Sequence, residues 1–181
     1  MSRVDQGSAD LRRDIELLAK HLPIASNDNT LLVLKGHLLV EHLLTEFIRS
    51  KLPQSNHFEN AQLRFPQKAA LARSMGPLGP ADWTWTALDK LNSVRNSLAH
   101  NLEHPKADER LRQFIDSVAV SYASDPLDGD AARMAPLPEA LVSLYFALAD
   151  TLRVKPYQIL LAEALRAWQP SNKSPERTRV E

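Results

Sequence analysis

Apolar residues return along this chain every three or four positions, and no stretch alternates convincingly at every second one, so the pattern is that of helices rather than strands. Leu11, Ile15, Leu18 and Leu22 mark a first helix over residues 8–22, with Ser8 placed as its N-cap and Pro23 as its stop. Asn27, Asp28 and Asn29 form a turn, and Asn29 or Thr30 is positioned to cap a second helix over 30–52. Leu31, Leu34, Leu38, Leu39, Val40, Leu43, Leu44, Phe47, Ile48 and Leu52 make that helix apolar over more than one side, which predicts a central core element. Gly36 inside it costs about 1 kcal/mol relative to alanine, so its presence predicts close approach of another helix. Residues 53–65 are expected to be a polar connection with His57 exposed. Pro66 begins a short helix that ends at Gly76.

Asp82 is placed to cap the next helix, in which Ala87, Leu91, Val94 and Leu98 share one face. Asn92, Asn96 and His100 line up on nearly the opposite face, with Arg95 at its border. Asparagine is a poor choice for a merely solvated helix face, because its side chain competes with the backbone for hydrogen bonds. This stripe therefore calls for a partner surface or a ligand. Pro105 opens a further helix carrying Leu111, Phe114, Ile115, Val118 and Tyr122. The Pro-, Asp- and Gly-rich run 125–138 reads as a linker between a bundle over 8–124 and a C-terminal helical hairpin over 139–169. Residues 170–181 read as a disordered tail. The expected class is thus all-α, an antiparallel helical bundle with two extra C-terminal helices.

Composition narrows the function. Lys plus Arg equal Asp plus Glu at 22 each, so no overall positive field draws in nucleic acid, although a local RNA site is compatible with that balance. There are no cysteines, which excludes disulfides, thiolate metal sites and a cysteine nucleophile. No segment reaches the roughly 18 uncharged apolar residues that a membrane span requires, and a cytoplasmic protein with no membrane partner is expected. His37, Glu41, His42 and Glu46 place two His–Glu pairs on the second helix at i, i+4 spacing, but without an H-E-x-x-H arrangement. We expect no metal and no cofactor, and read these as polar residues bordering the core. Glu41 or His37 is also placed to face the Arg95–His100 stripe, where a carboxylate would raise a histidine pKa. The stretch 150–160 has a faint look of a helix-turn-helix, but its second helix would carry only Arg166 as a base, which argues against DNA reading there.

The run Arg95-Asn96-Ser97-Leu98-Ala99-His100 resembles the Arg-X4-to-6-His motif of the HEPN superfamily. Phe65, Lys68, Leu71, Ala72 and Gly76, followed by Leu88 and Leu91, extend the likeness toward the mannitol-operon-repressor type of HEPN-like protein, over roughly residues 31–101. The resemblance implies an all-helical domain, a homodimer and, in many members, metal-independent cleavage of RNA. Arg95, Asn96 and His100 would then be catalytic, and Asn92, Glu41 and His37 supporting. It implies a neutralising or regulatory protein partner as well. Equally, proteins of the mannitol-repressor kind are regulators, which leaves a non-catalytic transcriptional regulator or protein-interaction module as the alternative.

Overall fold

The computed structural model describes residues 3–76, 82–100, 106–122 and 136–153. Within them the chain forms helices α1 (Arg3–His21), α2 (Asn29–Lys51), α3 (Ser55–Asn60), α4 (Phe65–Met75), α5 (Asp82–His100), α6 (Ala107–Tyr122) and α7 (Pro136–Arg153), and no strand. The protein is an all-α helical bundle, as its periodicity predicts.

Local chemistry sets the boundaries. The cap of α2 is Asp28, not Asn29 or Thr30: its backbone is extended, and its carboxylate accepts from the Leu31 N–H at 3.0 Å. Ser26 Oγ in turn accepts from the Asp28 N–H at 3.1 Å, so the turn before the helix is itself tied down. At the other end Leu52 is extended, as expected of a residue that precedes a proline. α4 starts with Pro66 in its first turn, and Gln67 reaches back to accept from the Arg64 N–H at 2.8 Å. Three expectations shift. α1 begins at Arg3, so Ser8 lies within a helix and does not cap one. The polar connection before Phe65 contains the short helix α3, with His57 exposed on it. α7 starts at Pro136, so the last residues of the expected linker are its first turn, where proline costs no hydrogen bond.

α2 is the axis of the packing. α4, α5 and α7 lie against it, and α6 closes on α5 and α7. Arg13 meets Glu46, while His21 lies with Lys35 and Leu38, so α1 runs antiparallel to α2. α6 likewise returns antiparallel to α5: Lys90 donates to the Gln113 carbonyl at 3.2 Å, and Arg110 donates to Ser97 Oγ, which itself donates to the Ser93 carbonyl at 2.9 Å. The core combines Leu43, Leu44 and Ile48 of α2 with Leu88 and Leu91 of α5 and Leu144, Leu148 and Leu152 of α7. Thus α7, the first helix of the expected C-terminal hairpin, shares the core of the bundle. The second helix of that hairpin, the 170–181 tail, most of the 125–138 run and the helix-turn-helix likeness beyond Arg153 lie outside the described residues.

Burial corrects the phase of α1. Leu11, Leu18 and Leu22 are buried as expected, but Ile15 is exposed and its neighbour Asp14 takes the inner position at 1% exposure. Tyr145 of α7, also buried, donates its hydroxyl to Asp14 Oδ1 at 3.1 Å. A buried carboxylate is tolerated only where donors replace water, and Tyr145 supplies one.

The close approach predicted at Gly36 is to Leu141 of α7: a methyl group placed on Gly36 would stand 2.6 Å from Leu141 Cδ2. The obstacle is the far end of a leucine, so it can turn away, but only into a filled core. Gly36→Ala is expected to lower stability by about 1 kcal/mol, because overpacking outweighs the gain in helix propensity. Leu141→Ala alone should cost about 2–5 kcal/mol. In urea unfolding of both single variants and the double variant, the double should cost less than the sum; strict additivity would mean that the two residues do not compete for space.

Candidate functional site

The polar face of α5 does not stand free in solvent. It turns toward the seam where α2, α4 and α5 meet, and part of it is consumed there. Asn92 Oδ1 lies 3.3 Å from His37 Nε2 of α2, a hydrogen bond in which the protonated ring nitrogen donates to the amide oxygen. His37 is buried, and its ring lies against Phe65 of α4 with centroids 4.2 Å apart. The other ring nitrogen, Nδ1, is 4.0 Å from Glu41 Oε2, one turn further along α2. Glu41 Oε1 accepts from Lys68 Nζ of α4 at 2.7 Å, with the two side chains 27% and 17% exposed. Two residues of α2 and one each from α4 and α5 thus form a chain running Asn92, His37, Glu41, Lys68.

Burial pushes the His37 imidazole below its ordinary value of 6.5, and the nearby positive charges of Arg95 and Lys68 push the same way. The Asn92 bond and the Glu41 carboxylate act in the opposite direction and lose. At His37 burial thus outweighs the Glu41 carboxylate, which is itself engaged by Lys68, whereas the rise expected within the stripe falls on His100, whose side chain lies outside the described residues. With a neutral ring that donates from Nε2, the lone pair on Nδ1 faces Glu41. A proton arriving there would gain a carboxylate but place a charge in a buried site against Phe65.

Arg95 and Asn96 are half-buried at the edge of this seam. Arg95 Nη1 donates to Asn96 Oδ1 at 3.2 Å, and no described carboxylate pairs with the guanidinium. Asn96 thereby steadies one arm of the fork. His100 is the last residue of α5, and its side chain lies outside the described residues. The structure thus gathers His37, Glu41 and Asn92 into one network, brings Arg95 within electrostatic reach of it, and couples Arg95 to Asn96.

The four polar residues of α2 do not converge. His37 and Glu41 face α4 and α5, His42 is exposed toward α1, and Glu46 pairs with Arg49 and with Arg13. The expected His42–Glu46 pair is replaced by these arginine contacts. Among the described residues no group of three His, Asp or Glu side chains is arranged to hold a metal ion. No described helix is long and apolar enough to cross a membrane. Trp83 and Trp85 are half-buried packing residues, the latter with Arg73 5.9 Å from its ring centroid.

Sequence reasoning passed over Lys68 and Phe65 as members of the site, because their nearness to His37 depends on how α4 packs. It also passed over the Asp14–Tyr145 bond and the buried Ser97. Both polar residues stand at apolar positions of their helices, Asp14 between Leu11 and Leu18 and Ser97 beside Val94, and that mismatch was a usable signal. No family model matches this chain, and no curated protein or solved structure is found to be significantly similar to it.

Because the native pKa of His37 lies below the unfolded value, the unfolded chain binds a proton that the folded one refuses. The stabilisation is complete above about pH 6.5 and is lost as the pH falls toward the native pKa. Urea unfolding at pH 7.5 and pH 5 should show a smaller loss of stability in acid for His37→Gln than for the wild type. An equal loss in both would place the acid sensitivity elsewhere.

Proposed function

We propose that this chain is a metal-independent, HEPN-like endoribonuclease whose site is Arg95 and His100, completed across a two-fold homodimer. The observation that carries the reading is the half-buried Arg95, held by Asn96 and paired with no described carboxylate. A cation kept ordered without a carboxylate partner suits a phosphodiester, whose oxygens a guanidinium grips in a bidentate fashion.

The chemistry follows from the side chains. A base removes the proton of a ribose 2′-hydroxyl, the oxygen attacks the adjacent phosphorus, and the 5′-oxygen leaves with a proton from an acid. The products are a 2′,3′-cyclic phosphate and a 5′-hydroxyl. His100 is the proton carrier, since an ordinary imidazole exchanges protons near neutrality. Arg95 stabilises the charge that grows on the phosphate. His37, with its lowered pKa and its Asn92 bond, holds the register of α5 on α2 rather than moving protons. Arg95 and His100 are roughly 140° apart around one helix, too far to converge on one phosphate from a single copy. An isologous dimer with α5 near the axis supplies the missing pair.

A second reading is favoured by a different observation. Asn92, the first member of the polar stripe, is satisfied internally by His37, which accounts for its presence without any catalysis. On that reading the chain is a non-catalytic regulator or interaction module with the same helical frame.

The deciding experiment incubates purified protein with mixed single-stranded and structured RNA in EDTA, with the solution mass of each variant determined alongside. Wild type is expected to leave 2′,3′-cyclic ends. Arg95→Ala and His100→Ala should lose about 100-fold or more in rate while keeping fold and mass, and His57→Ala, at an exposed position of α3, should cleave normally. Wild-type protein that is folded, dimeric and silent on every RNA would leave the regulator reading in its place.

A further inference from the structure

Away from the α2–α4–α5 seam, α1 and α2 leave a depression of about 280 Å³ lined by Leu17 and His21 of α1 and by Lys35, Leu38, Leu39 and His42 of α2. Leu38 is 58% exposed midway along a helix whose residues on either side, His37 and Leu39, are buried. Leu31, also exposed, lies two turns earlier in the same line. Leu31, Lys35, Leu38 and His42 therefore form one stripe at i, i+4, i+7 and i+11, roughly 16 Å long. It lies about 130° around α2 from His37, so it is not part of the Arg95 region.

The charge on this face is one-sided. Its ionisable lining groups are one lysine and two imidazoles, none of them paired with a described carboxylate. Glu46, one turn beyond His42, is taken by Arg13 and Arg49. In a chain with equal numbers of acidic and basic residues, an apolar floor lined by one lysine and two imidazoles, and by no carboxylate, is a local bias. We infer that the α1–α2 depression is a docking site for an acidic amphipathic helix of another protein. Leucine-like anchors of that helix seat on Leu17, Leu38 and Leu39, and its flanking carboxylates meet Lys35, His21 and His42.

The lining disfavours a second copy as occupant. A second copy docked through the same surface would bring two identical sets of lysine and imidazoles together, with no carboxylate among the lining residues to separate them. An anionic membrane would draw on Leu38 and Lys35 alike, and the vesicle arm of the test separates it from a helix. A groove between antiparallel helices is the shape that receives a third helix. The depression is small, so the contact it offers is expected to be a transient one. The inference does not depend on the ribonuclease reading.

The test uses the full chain and a fluorescein-labelled helical peptide of about 16 residues, with leucine at i, i+3, i+4 and i+7, glutamate at the positions flanking the leucine face and alanine elsewhere. A twin peptide carries lysine in place of glutamate. Fluorescence anisotropy should show saturable binding of the glutamate peptide that weakens with salt, and at least about 10-fold weaker binding of the lysine twin. Leu38→Asp and Lys35→Glu should each weaken the glutamate peptide about 10-fold or more, whereas Arg112→Glu, at an exposed position of α6, should not. Leu38 and Lys35 are exposed, so these variants should fold, and thermal melts check that they do. No binding of the glutamate peptide, equal binding of both peptides, or indifference to both groove variants overturns the proposal. Binding to phosphatidylglycerol vesicles that is lost in Leu38→Asp, without peptide binding, overturns it in favour of a lipid surface. A wild-type mass that falls in Leu38→Asp overturns it in favour of self-association.

Discussion

Everything in this molecule depends on covering α2. A 23-residue helix that is apolar around most of its circumference is unstable in water unless neighbours close over it on several sides at once. α7 approaches it at Gly36, where the absence of a side chain admits Leu141, and α4 and α5 close the side that carries His37 and Glu41. The remaining helices then find their places by covering what these leave open: α6 lies over α5 and α7, and α1 along one flank of α2. α1 covers its flank incompletely, and the leucines left over there are the exposed ones.

Covering such a helix forces its polar residues either to the rim or into pairs. Both solutions are used. Glu41 is half-buried between Lys68 and His37, and His37 is carried inward with its ring on Phe65 and one nitrogen bonded to Asn92. Replacing one member leaves its neighbour in the chain buried or half-buried and short of a partner, so the network specifies the relative placement of three helices more sharply than apolar packing does alone. The same logic holds for Asp14 and Tyr145, which tie the first helix to the last described one across the core. A polar residue in these positions costs more when mispaired than when correctly paired, and the register of each helix is thereby selected.

The electrostatic character of the α5 stripe is a consequence of that arrangement. Arg95 borders a neutral, buried imidazole and a Glu41–Lys68 pair whose charges cancel, and no carboxylate among the described residues pairs with it. Asn96 holds the guanidinium without neutralising it. An ordered cation of that kind is the feature shared by a phosphate-binding site and by an interface arginine, which is why the choice between the two readings rests on chemistry performed on RNA rather than on geometry.

The sequence by itself determined the helical class, because period 3.6 runs through nearly every apolar segment and the caps, prolines and glycines fall at the ends of those runs. It also determined that α2 is central, that Gly36 marks a close contact and that Asn92 requires a partner, since each follows from a residue type at odds with a solvated helix. Tertiary structure alone decided who the partners are. His37, read from the sequence as a polar residue bordering the core, became a buried neutral ring because α4 delivers Phe65 and α5 delivers Asn92. Asp14 displaced Ile15 from the core only because Tyr145 waits there, more than a hundred residues later in the chain. Periodicity assigns a residue to a face of its own helix. Which side chain stands opposite, and hence which protonation state is favoured, depends on contacts between segments far apart in sequence, and no local pattern carries that information.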